Sequence, residues 1–81
     1  MNKRQEILSL ASLCIYFNIS EGYLVAAAGL NPNAMSRYKR GIRTPSDDTL
    51  ENLTRTFVKL AGLHDRYVGM AAWSIAREVI V

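Results

Sequence analysis

The sequence predicts an all-α domain of five helices in which the second and third form a helix-turn-helix. Three observations carry this. Apolar residues recur at spacings of three and four rather than two. Glycine and proline punctuate these runs. Side chains able to cap a helix start, those of Ser20, Asn31 and Ser46, stand directly ahead of them. With 81 residues, 49% of them hydrophobic and 21% charged, residues 1–81 read as one domain with a single modest core and no room for a second.

The first helix is expected over residues 3–17, where Ile7, Leu10, Ala11, Cys14 and Phe17 form one inward stripe. Leu8, Leu13, Ile15 and Tyr16 widen that stripe beyond what one small core requires. Ser20 caps a second helix, Glu21 suits its dipole, and Gly29 supplies the left-handed residue that ends it. Asn31 then serves as N-cap and Pro32 as first residue of a third helix over residues 32–40, closed by Gly41. Ser46 caps a fourth, with Asp47 and Asp48 in its first turn, Leu50, Leu53, Phe57 and Leu60 inward, and Gly62 at its end. A fifth is expected over about 66–79, capped by Asp65, with Val68, Ala72, Ile75 and Val79 on one stripe.

The net charge of +3 is unremarkable, but its distribution is not. No acidic residue falls between Gly22 and Pro45, a stretch that holds Arg37, Lys39, Arg40 and Arg43. The single Cys14 excludes an internal disulfide and a cysteine-pair zinc site, and it reads as a small buried hydrophobe. The apolar run 7–19 contains Ser9, Ser12 and Asn18 and falls short of the roughly 20 residues that span a bilayer. The first residues show neither the long apolar stretch nor the small-residue cleavage site of a signal peptide. A cytoplasmic protein with no membrane partner is expected.

In the segment 20–41, Ala26, Ala27 and Ala28 keep the second helix slim, while Leu24, Leu30, Met35 and Tyr38 are spaced to meet between the two helices. The third helix then presents its outer face. Asn33, Ser36 and Arg37 are of types that read base edges in a major groove, and Lys39, Arg40 and Arg43 of a type that anchors phosphates. Double-stranded DNA is the expected partner. On their own these basic residues also fit a solvated helix face, and it is the four together on one surface that favour DNA.

The runs SEGYLVAAAGL (20–30), NPNAMSRYKRG (31–41), GIRTPS (41–46) and TLENL (49–53) resemble the Cro/repressor-type helix-turn-helix proteins often called the XRE family. The resemblance implies a lambda-repressor-like five-helix fold, operator binding commonly as a dimer, and transcriptional regulation. Three positions depart from the family pattern. Glu21 stands where a phosphate-donating glutamine is usual, Val25 where alanine is usual, and Pro32 at an early recognition-helix position that often carries a base-reading side chain.

The C-terminal stretch 67–81 is apolar on more than one side, so Met70, Trp73, Ile80 and Val81 are expected at a homodimer interface; the alternative is that they pack back on the first helix. A catalytic role is not expected. His64 beside Asp65 has no serine or cysteine nucleophile next to it, and Glu6, Glu21, Glu51 and Asp65 show no metal-ligand spacing, so no cofactor or metal is assigned. A second function class, a protein-interaction module, inhibitor or antitoxin on the same scaffold, is favoured by Glu21 and Pro32.

Overall fold

The computed structural model describes residues 2–80, in which six helices and no strand are found. They are α1 (Lys3–Tyr16), α2 (Glu21–Ala27), α3 (Ala34–Lys39), α4 (Asp47–Leu60), α5 (His64–Tyr67) and α6 (Ala72–Val79).

Local chemistry explains most of these boundaries. Ser20 and Ser46 have extended backbones and accept hydrogen bonds from Tyr23 N and Thr49 N at 3.0 and 3.1 Å, satisfying amides that the first turns of α2 and α4 leave unpaired. Asn2 does the same for α1 through Gln5 N. The chain leaves α2 through Gly29 at φ 77°, a left-handed conformation that an L side chain adopts only with strain. Asn18, at φ 57°, plays this part after α1, a turn that an asparagine tolerates better than most residues.

Two boundaries differ from expectation. The third helix begins at Ala34 rather than Pro32. Asn31 folds its side chain onto Asn33 N at 2.9 Å and its carbonyl accepts from Ala34 N, so residues 31–33 form a turn that leads into the helix. The expected fifth helix is two helices. Gly69 at φ 81° breaks it, α5 ends at Tyr67, and α6 starts afresh at Ala72. Val68 therefore leaves the inward stripe and is 59% exposed, while Ala72 and Ile75 remain buried.

The core draws on every helix. Ile7, Leu10, Leu13 and Cys14 of α1 meet Leu24 and Val25 of α2, Met35 of α3, Leu53 and Phe57 of α4, Tyr67 of α5 and Ile75 of α6. The α1 helix packs against α3, α4 and, along its length, α6. Phe17 closes one end by meeting Phe57 edge to face at 5.7 Å between ring centroids. Asn52 of α4 donates to the carbonyl of Ala28 at 2.9 Å, tying α4 to the open end of α2. No single helix among the described residues is long and apolar enough to cross a membrane.

Candidate nucleic-acid interface

The placement of α3 follows from its inner face. Ala34 and Met35 are buried and Tyr38 is half-buried, seated with Leu24 and Leu30 as their spacing predicts. Val25 is fully buried, so its extra bulk over alanine is absorbed by the core. With one side anchored, the other faces outward. Asn33, Ser36, Arg37 and Arg40 stand at i, i+3, i+4 and i+7 and share that side. Asn33, Ser36 and Arg40 are exposed and Arg37 is half-buried. The loop after the helix is held close, since Ile42 N and Arg43 N both donate to the carbonyl of Arg37, at 3.0 and 3.4 Å. Arg43 is thereby kept beside the C-terminal end of α3.

Lys39, expected as a phosphate anchor, is placed apart from these cations. It lies off the outer face, half-buried, with its ammonium 2.9 Å from one oxygen of Glu21 and 3.0 Å from the other. Glu21, which stands where the resembled family has a phosphate-donating glutamine, is neutralised by this pair. Both charges are taken up in joining the start of α2 to the end of α3.

Arg4 takes the vacant place in the cluster, and the sequence offered no local sign of it. Its Nε donates to the carbonyl of Lys39 at 3.0 Å, satisfying an open C-terminal group of α3, where a cation also suits the helix dipole. The ion pairs found among the described residues are Lys3 with Asp47, Lys39 with Glu21 and Arg55 with Glu51. Arg4, Arg37, Arg40 and Arg43 are in none of them. The surface around the end of α3 therefore carries four guanidinium groups with no acid among the described residues to neutralise them. Guanidinium presents several N–H donors in a rigid fork suited to phosphate and to the edge of guanine.

The residues expected at a homodimer interface are not brought together as one patch. Trp73 and Ile80 line a shallow groove between α6 and α1 with Leu8, Ser12 and Ala76, and Arg77 lays its guanidinium 4.5 Å from the Trp73 ring centroid. Met70 instead packs against the core and lines a different cavity, because the break at Gly69 turns it away from α6. Val81 lies outside the described residues. Much of the apolar character of α6 is covered by α1 of the same chain, through Ala72 and Ile75.

No group of three or more His, Cys, Asp or Glu that could hold a metal ion occurs among the described residues. Comparisons of the chain with protein-family models, with curated proteins and with solved structures find no match.

Proposed function

We propose that the chain is a small DNA-binding transcriptional regulator, Cro-like or repressor-like, built on a five-helix lambda-repressor-like plan in which α5 and α6 together stand for the fifth helix. In this reading α2 and α3 are the helix-turn-helix of the XRE class, and α3 enters the major groove. One observation carries it: a polar and basic outer face, Asn33, Ser36, Arg37 and Arg40, flanked by Arg4 and Arg43, on a helix whose opposite side is locked into the core. Asn33, Ser36 and Arg37 are assigned to base edges and Arg4, Arg40 and Arg43 to phosphates. The protein acts as a homodimer through the groove formed by Leu8, Trp73 and Ile80, which sets two copies of α3 about 34 Å apart on a two-fold-related operator. The cytoplasm, where the free thiol of Cys14 stays reduced, is the compartment that suits it.

The test is titration of duplex DNA, first of mixed sequence and then of the region upstream of its own gene, at several salt concentrations. Affinity is expected to fall steeply with salt, and Arg4→Ala, Arg40→Ala and Arg43→Ala each to reduce the slope by about 1. Arg37→Ala is expected to cost about 1–3 kcal/mol on the preferred sequence and to relax discrimination. Binding that ignores both Arg37→Ala and Arg40→Ala sinks the assignment of α3. Sedimentation equilibrium showing only monomer at micromolar concentration sinks the dimer.

A second reading, a protein-binding inhibitor or antitoxin on the same frame, is favoured by Tyr23 on α2 and Ile42 after α3, which are 61% and 63% exposed. Association with a partner protein that Tyr23→Ser or Ile42→Ser abolishes, with duplex binding absent at low salt, is the outcome that selects it.

A further inference from the structure

The break between α5 and α6 opens a half-enclosed cavity of about 440 Å³ against α4, away from the residues assigned to DNA. This lies in the lower half of the range of small-molecule sites, about 300–1,000 Å³. Leu50 and Val58 of α4, with Tyr67, Val68 and Met70 from the break, give it apolar walls.

Arg55 and the exposed His64 line it beside an excess of carboxylates. Three carboxylates line it, but Asp47 is paired with Lys3 at 3.1 Å and Glu51 with Arg55 at 3.3 Å. Glu6 has no ionic partner among the described residues. It is half-buried, and one of its oxygens accepts from Trp73 N at 2.9 Å, which leaves the other available. Tyr67 is only 3% exposed and lines the same space. Its hydroxyl makes no hydrogen bond to another described residue, yet no fully enclosed side-chain nitrogen or oxygen there lacks a partner. The hydroxyl is therefore reached from an opening, and the cavity that Tyr67 lines supplies one. Arg66, which is not a lining residue, places its guanidinium 5.5 Å from the Tyr67 ring centroid, and exposed His64 stands at the rim.

We propose that this cavity binds a small primary amine with an aromatic or branched alkyl body. The ammonium donates to the free oxygen of Glu6 and the body lies between Leu50, Val58, Tyr67 and Met70. The second oxygen of Glu6 has no ionic partner among the described residues, and an ammonium supplies both the charge and the donors to meet it. An anion of the same shape meets the unpaired oxygen of Glu6 instead, Asp47 and Glu51 being already paired with Lys3 and Arg55. Glu6 also caps α6, so occupancy is felt at Trp73, the single tryptophan of the chain.

The experiment titrates the full chain with 2-phenylethylamine, following backbone amide shifts and tryptophan fluorescence, with 2-phenylethanol and phenylacetate as neutral and anionic counterparts. The amine is expected to give saturable shifts centred on residue 6 and residues 67–73, with both counterparts about tenfold weaker or worse. Glu6→Gln keeps an oxygen to accept from Trp73 N but removes the charge, and is expected to weaken the amine about tenfold. Should that variant fail to fold, Leu50→Ala trims the apolar wall, and about a threefold loss is expected, unchanged affinity counting against the proposal. Equal affinity for amine and alcohol, shifts centred elsewhere, or no saturable shift overturns the proposal. DNA binding by α3 stands or falls separately, since none of these residues belongs to that face.

Discussion

Lys39 sits between the two carboxylate oxygens of Glu21, 2.9 and 3.0 Å away, and so joins the first turn of α2 to the last turn of α3. The partners are 18 residues apart in sequence and both are half-buried. Such a pair does more to set the geometry of two short helices than to stabilise them, since partly exposed ion pairs contribute about 0–1 kcal/mol. Glu21→Gln is therefore expected to lower stability by less than about 1 kcal/mol. The same change releases the Lys39 ammonium toward DNA, and is expected to tighten binding to mixed-sequence duplex and steepen its salt slope by about 1. Lys39→Met, by contrast, leaves the Glu21 charge unpaired and should weaken duplex binding. Paired anisotropy titrations and urea unfolding check both halves.

Glu6 governs the start of α6. Ala71, at the N-cap position, has no side-chain acceptor, and the carboxylate of Glu6 reaches across from α1 to Trp73 N. A negative charge at that end also suits the helix dipole. Glu6→Ala is expected to destabilise the chain by about 1–2 kcal/mol, the upper range of a lost cap, and to shift Trp73 fluorescence before global unfolding. Glu6→Gln should retain most of the stability. Urea denaturation followed by fluorescence and by circular dichroism separates local from global loss.

Two glycines are predicted to respond in opposite directions. A Cβ at Gly29 meets no atom within 4 Å, so the cost of Gly29→Ala is purely that of φ 77°, about 1–2 kcal/mol. A Cβ at Gly22 likewise meets nothing, but Gly22 lies inside α2 and its φ is not positive. There Gly22→Ala reduces the freedom of the unfolded chain and is expected to stabilise by about 0.4–1 kcal/mol. Thermal unfolding of the two variants beside the parent decides the matter.

Burial raises the Cys14 thiol from 9.0 to about 11, with the nearby charge of Glu21 adding to the rise and that of Lys39 opposing it. Only the thiolate reacts readily, so a disulfide reagent at pH 8 is expected to label the native protein no faster than it opens. Between pH 9 and 11 the unfolded chain loses this proton while the folded one keeps it. The unfolded state then binds fewer protons, so the Cys14 contribution to stability falls as pH rises through that window. Cys14→Ala should flatten this dependence in denaturation curves recorded across it.

Helix starts at Ser20 and Ser46, the turn at Gly29 and the inward seating of Leu24, Met35, Leu53 and Phe57 were all legible in the sequence, as was the outer face of α3. Each depends on partners a few residues away or on a periodicity that an amphipathic helix must obey, so neighbouring residue types suffice to specify it. The start of α3 lies two residues beyond the expected one because Asn31 has two local options, capping a helix or closing a turn, and both use the same side chain.

The remaining features depend on how the helices pack. Arg4 reaches the end of α3 from 35 residues away, and Glu6 caps α6 from 67. The sequence around Ala71 contains no cap because α1 provides it, and this is why the stretch 66–79 reads as one helix while the chain makes two. The separation of Lys39 from the other cations at the end of α3 has the same origin, since only the approach of α2 to α3 brings Glu21 within reach. By itself the sequence determined the first four helices, to within two residues at the start of α3, and the polar face of α3, which rest on local hydrogen bonds and side-chain periodicity. The tertiary structure decided which charges stay free on that face and opened the cavity at the α5–α6 break, because charge pairing and cavity shape are properties of packed helices rather than of any one segment.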